Sequence, residues 1–465
     1  MMTTTRYSLA FLLVGCLLAP NRLFANERST IRGMGMARTF VASSRGLDAV
    51  GVNPANLAVP DHGTVTFSIL PFGAHVGSDF LDYDLYTKYF TGVQTDSGRV
   101  GRYLTEQDKK QIMDSFTDPL ARTTAELEAR LIGATYRLEG IGAVALSVTD
   151  HIGAFADVPR DYFKFILNGN PTGSSYRFDG AKVQASWTRE YALSFGVNLP
   201  RVRFLKSLTG GAAVKLIHGF GYYEVQRFNT ALATDEHATL TGSVDFLSRS
   251  AGTDPTAARF IGSYTLFPEL AGKGVGVDLG VRGEVNDFLS VGISVTDVGS
   301  LRWTKNAEEK YADTTLVIDD PLNEEQRAAV ERAVKGRSRE TGAFSTSLPT
   351  TVRFGVALEI HKLPEMEDMP GELLVELDYN QSIKETAYST KTPRVSLGVE
   401  YKPIPWLPLR SGVSFGGTDH MNLALGFGVN LGVFDFELAS ENVTWLLVPK
   451  SFSQGSVAIG TRFRF

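Results

Sequence analysis

A chain of 465 residues with 46 glycines and 29 phenylalanines is long enough for several cores or one large barrel, and a formal charge of −5 gives a nucleic-acid partner no electrostatic support. A mean hydropathy of −0.05, with no internal run reaching about 18 apolar residues, excludes a helical membrane protein; it does not exclude a membrane barrel, whose strands are half polar. With Cys16 as the sole cysteine, disulfides and CxxC chemistry are excluded too.

Residues 1–25 read as an export signal: Arg6 is the positive flank, residues 8–20 the apolar core, and Leu23-Phe24-Ala25 a cleavage site before Asn26. Losing Arg6 and Arg22 takes the formal charge from −5 to −7. Leu13-Val14-Gly15-Cys16 also resembles a lipobox, although Leu17-Leu18-Ala19-Pro20 continues the apolar core where a lipoprotein turns polar.

Residues 29–60 do not alternate. Gly33-Met34-Gly35, residues 42–46 and Asn53-Pro54-Ala55 predict short helices and turns. The first strand is expected over 64–72, and a helix over 104–116 with Thr105 as cap and Asp108 three residues on. A hairpin follows, 125–138 and 141–152 around Glu139-Gly140, and then an outer loop to about residue 180. In 182–199 the expected outward set is Val183, Ala185, Trp187, Tyr191, Leu193, Phe195 and Val197. The interval 228–267 holds either two crossing strands or an outer hairpin, so the count is about 14 or about 16.

Val275, Val277, Leu279 and Val281 alternate into a tight turn at 285–287, and Leu289, Val291, Ile293 and Val295 return. The excursion 299–347 carries a polar helix at 323–335 suited to water. Thereafter the two-residue period dominates, as in Val395, Leu397, Val399 and Tyr401, and it closes on Val457, Ile459, Thr461, Phe463 and Phe465. Opposite the apolar set lie Asp278, Arg282, Glu284, Arg353, Glu359, Glu376, Asp378, Arg394, Glu400, Asp435, Glu437 and Arg462.

A soluble sandwich turns such apolar faces inward; a transmembrane barrel turns them to lipid and its charges to the lumen. Strands of roughly 9 to 11 residues and connections alternating between short and long favour the barrel. Trp303, Trp406 and Trp445, just beyond strand ends, are expected where rings meet lipid headgroups. The expected architecture is an all-β transmembrane antiparallel barrel of about 14 strands, within 12 to 16, with short helices in its loops. Its divisions are a signal peptide (1–25), an N-terminal segment (26–62) and the barrel (63–465), with outer loops near 76–124, 152–180, 228–267 and 299–347.

Arg32-Gly33-Met34-Gly35-Met36-Ala37-Arg38, Gly46-Leu47-Asp48-Ala49 and Asn53-Pro54-Ala55-Asn56-Leu57-Ala58 resemble the N-terminal segment of the FadL superfamily. Leu348-Pro349 and the stretch from Asp297 to Trp303 look like segments of uncharacterised members. The resemblance implies a bacterial outer-membrane barrel of about 14 strands whose N-terminal segment is a lumenal hatch. It places Gly33, Gly35, Asp48, Asn53 and Pro54 in that hatch, and implies either passive uptake of small, fatty-acid-like hydrophobic molecules or a non-transporting scaffold or secretion accessory of the PorV type. Phe463 and Phe465 are similar to the C-terminal signal read by the barrel-assembly machinery. Outer-membrane lipid, that machinery and hydrophobic small molecules are the expected partners. Phe220, Tyr222 and Tyr223 are candidates for ligand capture or for an aromatic girdle.

No cofactor, metal site or enzyme activity is expected. Gly33-Met34-Gly35 follows no strand and has Arg38 at the third glycine position of a dinucleotide fingerprint. The seven histidines show no HExxH spacing. Gly412-Val413-Ser414-Phe415-Gly416 precedes a strand where a nucleophile elbow needs a helix, and assembly of a serine with His151, His218 or His420 from separate strands is the remaining hydrolase route.

Overall fold

The computed structural model describes residues 30–61, 63–256, 264–320, 322–366, 368–417, 421–447 and 452–465. The export signal and the lipobox-like Cys16 lie outside the described residues.

The strands close into an antiparallel barrel of 14 staves. The first stave is split into β1 (Val65–Ile69) and β2 (Phe72–Ser78), while β3 (Val93–Thr95) and β4 (Gly98–Val100) form a separate outer hairpin. The wall continues through β5 (Leu120–Leu138) and β6 (Gly142–Pro159), skips β7 (Ser175–Arg177), and resumes in β8 (Lys182–Leu199) and β9 (Ser207–Thr234). After β10 (Leu240–Gly252) come the wall strands β11 (Gly272–Glu284) and β12 (Leu289–Trp303). Three more outer strands are β13 (Glu308–Ile318), β14 (Arg337–Glu340) and β15 (Phe344–Ser347). The wall ends in β16 (Thr351–Glu359), β17 (Glu372–Ser382), β18 (Arg394–Lys402), β19 (Leu409–Gly416), β20 (Met421–Asn430), β21 (Phe434–Ser440) and β22 (Gln454–Arg464). Closure is made where Thr66 pairs Arg464 and Phe67 pairs Phe463.

The interval 228–267 therefore does not cross. The 28-residue β9 leaves the wall after its first half, and its second half pairs with β10, which pairs with β13, giving an outer sheet. Because the ladders continue past the wall, the outer connections run over 79–119, 160–181, 235–271 and 304–350. Tight connections such as Gly140 (φ +73°) and Gly432 (φ +79°) lie at the opposite end, with the C-terminus. The helix Glu106–Asp114 starts on the expected Thr105–Asp108 capping box, and Asn323 caps Glu324–Lys335.

Leu146, Leu193, Val214, Val275, Leu279, Ile293, Phe354, Leu397 and Leu425 are exposed on the outer wall, so the apolar side of the ribbons packs against no second sheet. Inside, Asp278, Arg282, Arg353, Glu376, Asp378, Arg394, Glu400, Asp435, Glu437 and Arg462 are buried, as the alternation predicts.

Two tryptophans depart from expectation. Trp303 is 1 % exposed, packed on Tyr222 and Leu301, with its Nε1 donating to Thr346 Oγ1 at 3.0 Å; a strand-end position does not say which side of the wall a ring takes. Trp187 is buried too, packed on Phe220 and Tyr264, with Leu270 against the pair. Trp406 is exposed in its turn, and the Trp445 side chain lies outside the described residues.

Candidate functional site

Residues 30–58 are almost wholly buried inside the barrel and form a plug. Thr30 Oγ1 accepts from Gly33 N at 3.2 Å and starts the short helix Ile31–Gly35. Asn53 does the same for Pro54–Ala58, accepting from Ala55 N at 3.2 Å. Polar side chains replace a ladder in this plug: Asn53 and Asn56 Nδ2 both donate to Val41 O, at 3.2 and 2.9 Å.

The plug touches staves all the way round. Wall glycines permit this approach. A Cβ on Gly211 would stand 2.2 Å from Pro54 C, and one on Gly412 would stand 2.4 Å from Met36 C. One plug glycine answers them, Gly35 lying against Gly426, while Gly33 makes room for the Phe40 ring within the plug.

Wall charges then bind the plug backbone. Asp378 Oδ2 accepts from Phe40 N at 2.7 Å and Val41 N at 3.0 Å, Glu376 Oε1 accepts from Ala42 N at 2.6 Å, and Arg282 Nε donates to Ala42 O at 2.9 Å. Toward the short-turn end a chain of ion pairs leaves the plug and returns to it. Arg32 meets Glu400 (3.1 Å), which meets Arg410 (2.6 Å), which meets Glu437 (2.8 Å), which meets Arg462 (2.9 Å), which meets Asp48 of the plug (2.7 Å). Beside it is a cavity of about 370 Å³.

On the outer side of the plug, Arg38 pairs with Glu441 at 2.7 Å. Lys215, wholly buried, sits 2.7 Å from both Asp278 and Asp297 and 3.4 Å from Glu190. The loop after β17 also folds inward: Ala387, Ser389, Thr390 and Thr392 are buried, and Tyr388 lies on Gly153 and His151.

Between β1 and β2 the wall is broken. Leu70 has φ +52° and Pro71 lacks an N–H, so β1 pairs β22 only at Thr66 and Phe67, and pairing resumes at Phe72 opposite Ile459. Ser68 Oγ donates to Thr461 O at 3.0 Å across the gap, and on the other side Arg130 N donates to Pro71 O at 2.9 Å. Behind the break lies a cavity of about 20 Å³ lined by Thr30, Ile31, Ser68, Pro71, Glu128 and Arg130. The wall gap thus abuts the first turn of the plug, with Ile69, Leu70 and Phe72 exposed outside it.

Gly35, Asp48, Asn53 and Pro54 lie at contacts between the plug and the wall, whereas Gly33 packs within the plug against Phe40 and Thr30. Phe220 and Tyr222 are not brought together. A bulge near Phe220 sends it to Trp187, whereas Tyr222 joins Trp303 and Leu301, and Tyr223 is half-buried apart from both. Phe463 packs on Phe434 at 5.4 Å, and the exposed Phe465 is tied by its backbone to Thr64 and Val65. Ser414 is buried in a strand that leads toward another strand. Sequence reasoning missed the wall break and the use of Glu376 and Asp378 as backbone acceptors. Proline inside an alternating run was the available signal for the first.

The chain matches a family of unknown function, DUF5723, over residues 54–441. Comparison with curated proteins finds no match. Among solved structures it is similar to a deletion mutant of the monoaromatic hydrocarbon channel TodX (14 % identity, 94 % of this chain and 98 % of that one, TM-score 0.47). A Pseudomonas aeruginosa FadL homologue is also similar (12 % identity, 95 % and 100 % covered, TM-score 0.45), as is the Pseudomonas putida toluene transporter TodX (12 % identity, 96 % and 100 % covered, TM-score 0.43).

Proposed function

The chain belongs to the DUF5723 family of unknown function, and we propose that it is a bacterial outer-membrane barrel that passes small hydrophobic, fatty-acid-like molecules inward by diffusion. An exposed apolar wall, an even stave number and short turns at one end against long loops at the other suit that membrane.

The carrying observation is the break at Leu70–Pro71. Lipid offers no partner to an unpaired backbone group, so a gap in a barrel wall has a standing cost and points to use. Straight passage past the plug is unfavourable for an apolar molecule, because the bore toward the short-turn end is lined by Arg32, Glu400, Arg410, Glu437 and Arg462. A sideways exit between β1 and β22 bypasses Arg32, Glu400, Arg410 and Glu437, meets only the Asp48–Arg462 pair with Glu128 and Arg130 behind the gap, and delivers the molecule to an apolar environment. Movement of the first plug turn, Thr30 and Ile31, would enlarge the small cavity behind the gap.

Uptake of a labelled fatty acid into liposomes, with and without residues 30–60, tests this reading. It requires uptake faster than into empty liposomes, and faster still without the plug. Rates equal to empty liposomes in both cases would remove transport and leave the scaffold reading. That second reading has its own support, a bore occupied by the plug and paired charges beneath an outer sheet open to partners.

A further inference from the structure

The cavity of about 370 Å³ lies between the plug and the short-turn end, where His361 and Pro405 line it from two connections. Its lining carboxylates are already engaged. Glu400 and Glu437 hold arginines of the charged chain, Asp48 holds Arg462, Asp61 holds Arg464, Glu372 holds Lys402 and Glu359 holds Lys362.

Arg45 differs from every other cation there. Its NH1 donates to Ser44 O at 2.7 Å and, more weakly, to Ala42 O at 3.5 Å, and among the described residues no carboxylate pairs with it. The Ser44 carbonyl thus holds one nitrogen of a half-buried guanidinium whose residue lines the cavity. A partly desolvated cation that no carboxylate touches, with Glu359, Glu376 and Glu284 acting on it only from farther off, can take a counterion supplied from outside.

We propose that this cavity is an oxyanion site, in which Arg45 takes the carboxylate or phosphate group of a small solute from the periplasmic side, and that filling it holds the plug shut. The anion would link Arg45 to the neighbouring guanidiniums of the cavity, tying residues 42–48 of the plug to the wall. Opening of the plug would remove Arg45 from the site. Anion binding and opening therefore oppose each other reciprocally.

The test is amide hydrogen exchange of residues 42–48 in the full barrel in detergent, titrated with acetate, inorganic phosphate or chloride at constant ionic strength. Acetate, phosphate or both should slow exchange in proportion to 1 + [anion]/Kd, by about 100-fold at a hundred times the Kd, and the effective anion identifies which oxyanion the site takes. Arg45→Gln should abolish the dependence. Arg45→Lys, which keeps the charge without the fork, should weaken it and serves if the glutamine variant does not fold. Arg332→Gln on the outer helix should change nothing. Absence of slowing, equal slowing by chloride, or equal slowing in Arg45→Gln overturns the proposal. The readout is plug motion, so liposome uptake can fail while this site stands, and the reverse.

Discussion

Arg462, on the last stave, carries one guanidinium nitrogen 2.7 Å from Asp48 of the plug and 2.9 Å from Glu437 of the adjacent stave. Cutting a link in such a buried chain strands a charge, and the cost depends on what else that charge touches. Loss of Glu400 takes from Arg32 its partner in the chain, with Arg410 keeping Glu437, whereas loss of Asp48 leaves Arg462 still paired with Glu437. Glu400→Gln should therefore destabilise plug seating by about 3–5 kcal/mol and Asp48→Asn by less. Hydrogen exchange of the plug amides reads both, and an inverted order would contradict the chain.

Asp378 gives a cleaner case, because one carboxylate oxygen accepts from two plug amides, Phe40 and Val41. Asp378→Ala leaves both donors buried without that acceptor, at about 1–3 kcal/mol. Exchange at Phe40 and Val41 should accelerate by roughly 5- to 150-fold, with wall amides such as those of β6 unaffected. Uniform acceleration across the barrel would mean that the carboxylate stabilises the wall and not the plug.

Much of this was legible in the chain. The outward Val275–Val281 set and the inward charges follow from a period of two, and the Thr105 and Asn323 helix starts follow from capping chemistry. Whether 228–267 crosses was not legible, since an outer sheet alternates as a wall does. Trp187 and Trp303 show a related limit: periodicity assigns a face, but not what later folds over it. The plug was placed through a resemblance, and its fit depends on glycines of distant staves that no local pattern connects to it.

Those glycines are separable by substitution. Gly412→Ala places a methyl 2.4 Å from the backbone of Met36, where neither side can yield cheaply, and should cost about 1–3 kcal/mol with loss of plug protection. Gly455→Ala, on β22 with nothing within 4 Å, should be close to neutral. Thermal unfolding in detergent compares the two.

Outside the wall, Glu309 of β13 accepts from Arg339 of β14 and from Arg249 of β10. The hydrogen bonds from Arg339, then Arg249, hold its carboxyl below the ordinary glutamate value. A depressed folded value means that its contribution is present at neutral pH and is lost as pH falls through that value. Protection of Arg337–Glu340 should decline on acidification below the usual glutamate range, and Glu309→Gln should remove that decline. A variant with the same pH profile as the parent would exclude Glu309 as its origin.

Pro71 bears most directly on the uptake route. It supplies no backbone donor at the break, and Leu70 beside it adopts φ +52°, so the break is written into two adjacent residues. Pro71→Val restores an N–H and a strand-forming side chain, and one recovered wall hydrogen bond is worth about 0.5–1.5 kcal/mol. The variant should be equally or more stable while its liposome uptake of labelled fatty acid falls by a factor of ten or more. Those two effects have opposite signs, which separates closure of the gap from general damage. Unchanged uptake in a well-folded variant would place the route elsewhere and reduce the break to an accommodation between the wall and Ile31, whose Cδ1 lies against Gly460 at the same point.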